Sequence, residues 1–217
     1  MENMQTKLQY LEDFNLSEAL AKVISVAQEN DRDVVVLDQT MANKYMLGLK
    51  RGTVKLARHS KKWKGAFEKE ARKLHKVFGK DALDIQHVGS TAILGIPAKP
   101  IIDMAVLVLS FKKTKRYIPA LKKLGYVLKE NDMRSERLFF TRGPEEKRTH
   151  YLHIGEVGSG YIKDMLFFRD YMLTHKRIAN EYAELKKTLA RRYADRRDLY
   201  TKEKKRFIDN VAEKEKV

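Results

Sequence analysis

Gln86-His87-Val88-Gly89-Ser90-Thr91-Ala92-Ile93-Leu94-Gly95-Ile96-Pro97-Ala98-Lys99-Pro100-Ile101-Ile102-Asp103 is the stretch on which the architecture of this 217-residue chain turns. Its first residues finish a strand over 84–88, and Gly89-Ser90-Thr91 reads as a turn. Pro97 and Pro100 bracket an irregular passage. From 101 to 109 the sequence is almost continuously apolar, the pattern of a strand buried on both faces. Glycine lets the backbone approach a ligand closely. Backbone N–H groups at the opening of a helical turn attract phosphate, and the Ser90 and Thr91 hydroxyls add donors. A plain N-cap accounts for the same three residues without any ligand. Asp103 is the one charge in the apolar run. A carboxylate desolvated there needs a cation, a metal or several donors. Lys99, Arg137 and Arg169 are the candidate cations, and a purely structural ion pair with one of them is the alternative.

Downstream, Tyr117, Ile118, Leu121 and Leu124 recur at helical spacing, and Gly125 ends the run. Three strand-like runs follow at 126–128, 137–141 and 150–154. From Tyr161 the pattern is helical, in segments 161–173, 176–193 and 201–212. Upstream, Ser60 is placed to cap a helix carrying Trp63, Phe67, Leu74 and Phe78 on one side. Farther upstream, Asn15 and Glu18 form a capping-box pattern before a helix reaching Asn30. Residues 34–37 read as a short strand, and a soft segment at 39–52 marks a boundary. The expectation is an α/β (mixed α+β) domain over 51–217: a mixed β-sheet flanked by helices with a helical C-terminal layer. Residues 1–50 form a small N-terminal appendage.

Composition narrows the classes of function. There are no cysteines, which excludes a disulfide framework, thiolate–zinc sites and thiol catalysis. No apolar stretch approaches the length of a membrane span, and no basic region followed by an apolar run opens the chain. A cytoplasmic protein with no membrane partner is expected. The net charge of +16 is uneven. Residues 1–50 hold 5 basic and 8 acidic side chains, net −3, whereas 51–217 hold 40 and 21, net +19. Such asymmetry suits an anionic partner: a nucleotide, another anionic small molecule, or RNA. A solvated lysine-rich surface is the plain alternative.

Arg148-Thr149-His150-Tyr151-Leu152-His153 carries further candidates. On a strand, Tyr151 and His153 share one face while His150 and Leu152 share the other. Tyr151 and His153 are thus placed to reach the same cleft as Asp103. The two histidines point to opposite faces, which disfavours zinc. Arg148 and His153 suit a phosphate or carboxylate as donors. Arg169-Asp170 suits either a ligand contact or a brace between helix and sheet.

Taken together, the 86–103 stretch, Arg137-Leu138-Phe139-Phe140-Thr141-Arg142, the 148–153 stretch and Phe168-Arg169-Asp170 resemble the GrpB family. Residues 182–192 and 200–207 share the likeness, which runs from about Val54 to Phe207 and leaves 1–50 outside. The resemblance implies the polymerase-β-like nucleotidyltransferase fold, in a family also found fused to dephospho-CoA kinase. It implies that Gly89, Ser90 and Thr91 hold nucleotide phosphates, with Lys99, Arg148 and His153 assisting. His87, Arg137, Tyr151 and Arg169 stand in support. Ser90 and Asp103 would carry the chemistry on a nucleoside triphosphate, with Asp103 on Mg²⁺. That superfamily grips the metal with two carboxylates at i and i+2 on a strand, which face the same way. Here position i+2 from Asp103 is Ala105, and a lone carboxylate holds Mg²⁺ poorly. Three functions are therefore expected in competition. They are nucleotidyl transfer to a small acceptor, non-catalytic binding of a nucleotide or CoA-like anion, and RNA binding by the basic body.

Overall fold

The computed structural model describes residues 47–130 and 136–216. The expected helix at 15–30 and strand at 34–37 lie outside them. The first helix, α1 (Lys62–Phe78), buries the stripe Trp63, Ala71, Leu74 and Phe78. Ser60 Oγ accepts from the Lys62 N–H at 3.3 Å near its start. Strands β1 (Ala82–Val88) and β2 (Ile102–Val108) follow, then the short helices α2 (Phe111–Thr114) and α3 (Ile118–Lys123). Strands β3 (Tyr126–Leu128), β4 (Leu138–Arg142) and β5 (His150–Glu156) complete one sheet. The chain ends in α4 (Gly160–Thr174), α5 (Lys176–Arg192) and α6 (Arg197–Ala212). The single helix expected over 117–124 is shorter, because Pro119 lies in the first turn of α3, where its fixed φ starts a helix. Helix α6 begins before the expected residue 201. Asp198 favours its positive N-terminus, whereas the buried residues Tyr200, Phe207 and Val211 appear only later.

The sheet order is β1-β2-β5-β4-β3. Only β2 and β5 are parallel among the described pairs; β1–β2, β5–β4 and β4–β3 are antiparallel, so the sheet is mixed as expected. Its two faces differ in chemistry. Ile102, Met104, Val106 and Val108 point to one face and pack with Leu74 and Phe78 of α1 and Leu121 of α3. Asp103, Ala105 and Leu107 point to the other. There Ile162 of α4 packs on Val88 and Ala105. A Cβ at Gly155 of β5 would lie 2.3 Å from Ile162 Cγ1, so that glycine is what lets α4 sit down on the strand. Double burial of 101–109 is therefore incomplete: Asp103 and Leu107 are half-buried, and Leu109 is exposed. Helices α4–α6 share their own core of Phe168, Tyr182, Leu189, Tyr200 and Phe207, joined by Ile93 and Ile96 from the passage between β1 and β2. The irregular passage thus fastens the helical layer to the sheet.

Candidate functional site

Gly89 follows β1 with φ 69° and ψ −173°, a backbone state that side-chain-bearing residues avoid. An added Cβ would stand 2.7 Å from Asp103 Oδ2. The glycine turn and the acid of β2 are therefore in direct apposition, with Ser90 opening the 3₁₀ turn Ser90–Ala92 immediately beyond. Asp103 pairs in register with Val88 on one side and Tyr151 on the other. His153 lies two residues further along β5, and its Nε2 faces Asp103 Oδ1 at 3.6 Å. The imidazole side chain is 7% exposed and the carboxylate 27%. The expected sharing of one face by Asp103, Tyr151 and His153 is what the register produces.

Arg137 sets the state of that imidazole. Its Nη1 lies 3.2 Å from His153 Nδ1 and donates to Tyr161 Oη at 2.7 Å. A guanidinium only donates, so His153 Nδ1 accepts and the ring proton sits on Nε2, toward Asp103. The guanidinium is itself held over the rings of Phe139 and Tyr161, 4.8 and 4.6 Å from their centroids. Of the cations expected to answer Asp103, Arg137 acts through His153. Arg169 instead donates from Nη1 to Gln86 Oε1 and the His87 carbonyl, and pairs with Asp170, bracing α4 against β1.

Beyond this group lies a cleft of ≈ 830 Å³ between β4–β5 and the start of α6. Arg51, Lys129, Arg148 and Arg197 supply positive charge to its lining, Glu130 and Asp198 supply negative charge, and Phe139 and Tyr151 supply rings. Arg148 is buried; its Nη1 donates to Thr141 Oγ1 at 2.9 Å and the Gly143 carbonyl at 2.6 Å, which fixes it in the wall. The Arg197 guanidinium stands 5.3 Å over the Tyr151 ring. Burial raises the Tyr151 phenol above its ordinary value, so it stays protonated at neutral pH. Lys99 lies 5.4 Å from the centroid of Tyr200. Burial and the neighbouring cations Arg197 and Lys204 push its ammonium well down, with Asp103 opposing them.

Two expected residues serve elsewhere. Thr91 is buried; its hydroxyl donates to the Ile101 carbonyl at 3.3 Å and meets His87 Nε2 at 3.0 Å, so it locks the turn to the start of β2. His87 points to the α1 face, stacked on Phe67 at 4.9 Å, and burial holds it down to about 4. Residues not singled out from the sequence include Tyr161, Lys186, Arg197 and Lys204. Lys186 carried a signal: it interrupts the buried stripe of α5 between Tyr182 and Leu189. It is 1% exposed and donates from Nζ to the Pro97 carbonyl at 2.5 Å.

The donor set does not fit Mg²⁺. That ion asks for near-octahedral oxygen ligands. Asp103 offers one carboxylate, Ala105 offers none, and the facing group is an imidazole nitrogen. Among the described residues, no three His, Cys, Asp or Glu side chains gather as a metal site.

A mixed five-stranded sheet, a helical C-terminal layer and an acid–imidazole pair at a glycine turn define an α/β protein with a cation-lined cleft. The family model described as GrpB protein matches residues 53–214, and the chain belongs to the GrpB family. The glutamate-rich protein GrpB of Alkalihalophilus pseudofirmus is 39% identical over 170 residues, covering 76% of this chain and 98% of the relative. The crystal structure of the conserved protein GrpB from Enterococcus faecalis superposes with a TM-score of 0.69 at 31% identity, over 75% of this chain and 99% of that one. A looser likeness, at 16% identity and a TM-score of 0.44, joins 81% of this chain to 48% of a Cid1 poly(U) polymerase chain.

Proposed function

We propose that this GrpB protein binds a nucleotide or a similarly phosphorylated small molecule in the cleft between β4–β5 and α6, without a divalent metal as the bridging group. The observation that carries the reading is the setting of Asp103. Its carboxylate is matched to a glycine turn and a proton-bearing imidazole, not to a second carboxylate, and its cross-strand neighbour Tyr151 lines the cleft. The cleft volume falls within the range of small-molecule sites. In this reading, Arg197 and Lys99 receive phosphate and Arg148 shapes the wall. Phe139 and Tyr151 offer rings for a base, and Asp103 accepts from a ligand hydroxyl or amino group. Calorimetric titration with ATP, with and without Mg²⁺, tests it. Weak binding that changes little with Mg²⁺ agrees with the reading. A large Mg²⁺ enhancement would transfer the argument to nucleotidyl transfer, and no binding at all would end it.

A further inference from the structure

We infer that Lys99, Lys186, Arg197 and Lys204 form a receiving site for a run of two or more phosphates, such as the di- or triphosphate tail of a nucleotide. The inference rests on the cleft reading and adds which ligand end is recognised and by which half of the molecule. The four cations come from three elements that meet only in the folded chain: the passage before β2, α5 and α6. The Tyr200 ring has Lys99 Nζ at 5.4 Å and Lys204 Nζ at 5.9 Å from its centroid. Lys186 Nζ stands 4.6 Å over the neighbouring Tyr182 ring and is tied to Pro97, two residues before Lys99. Arg197, on the first turn of α6, reaches over Tyr151 into the cleft.

These charges work against one another. Burial comes first and the Lys204 and Lys99 charges second in driving the Lys186 ammonium well below its ordinary value, and Lys99 is depressed in the same way. The carboxylate that acts on Lys99 is Asp103, while Asp198 beside Arg197 pairs with Arg196. In a seam built only to hold helices against a sheet, the ring contacts favour each ammonium group, but desolvated like charges beside one another cost stability. A polyanion inverts that cost: each phosphate brings acceptor oxygens and negative charge, and the resulting hydrogen bonds are the strong, charge-assisted kind. Lys186 is buried, Lys99 and Lys204 are half-buried, and of the four it is Arg197 that lines the cleft, a setting that suits the end of a small ligand better than a nucleic-acid backbone.

Titration of the intact protein with orthophosphate, pyrophosphate, tripolyphosphate, AMP and ATP tests the inference. The expected result is affinity rising with phosphate number and tripolyphosphate displacing ATP. Lys204→Gln should weaken tripolyphosphate by roughly tenfold or more, the factor supplied by one hydrogen bond to a charged group, while changing AMP little. Lys186→Met serves as the second variant. It should also weaken tripolyphosphate, with a melting temperature equal to or above that of the parent, so that lost binding is not lost folding. Equal affinities for AMP and ATP, or tripolyphosphate binding untouched in both variants, would overturn the inference and leave the cleft reading standing. Absence of binding by both AMP and ATP would overturn the cleft reading and this inference with it.

Discussion

At the scale of single residues, Gly89 and Asp103 explain each other. A side chain at 89 would sit in the space of the Asp103 carboxylate, on a backbone whose positive φ already disfavours it. Gly89→Ala should therefore destabilise the fold by about 1–3 kcal/mol, read from denaturant or thermal melts. Asp103 only accepts hydrogen bonds when ionised and repels phosphate. Asp103→Asn should accordingly weaken ATP about tenfold, while tripolyphosphate binds as well or better. Parallel loss of both ligands in a folded variant would remove Asp103 from its assigned role. His87 and His150 provide a pH signature, because burial lowers both from 6.5 to about 4. Between those values the unfolded chain holds protons the folded chain does not, so stability falls as pH drops, and the loss is complete below about 4. Each histidine contributes up to about 3 kcal/mol to that fall. Melting temperatures followed from neutral pH to about 4 check the direction; a flat profile would contradict it.

At the scale of elements, the site depends on α4 covering only part of the outer sheet face. Gly155 admits Ile162 at one end, and toward the other end Tyr151, the cross-strand neighbour of Asp103, lines the cleft. Gly155→Ala should cost about 1–3 kcal/mol through overpacking. Adding Ile162→Ala should recover part of that cost, giving a coupling energy in a double-mutant cycle; strict additivity would show that α4 is not seated as described. The strands were legible in the sequence because their apolar runs are too short for a helix and stand near turn signals such as Gly89, Gly125 and Gly143, and the parity of Tyr151 and His153 follows from the pleat. The contact between Arg137 and His153, and that between Lys186 and Pro97, were not. Nothing local encodes which strands adjoin or where a helix 89 residues away returns. Lys186 on the apolar stripe of α5 was the one visible hint, since a buried lysine needs an acceptor.

At the scale of the whole molecule, the basic body and the acidic first 50 residues make a strongly polarised chain, with net charges of +19 and −3. Gly48 and Leu49 are already bonded to the body, at the Pro100 and Arg148 carbonyls, and Arg51 lines the cleft. The cleft thus draws on the entry of the chain, the sheet and the helical layer together. A diffraction structure of the protein crystallised with ATP in the absence of divalent metal is the most direct measurement of where the nucleotide sits. Phosphates are expected within hydrogen-bonding distance of Lys99 and Arg197, with the base against Phe139 or Tyr151. Nucleotide density on the α1 face of the sheet, or phosphates remote from those cations, would contradict it.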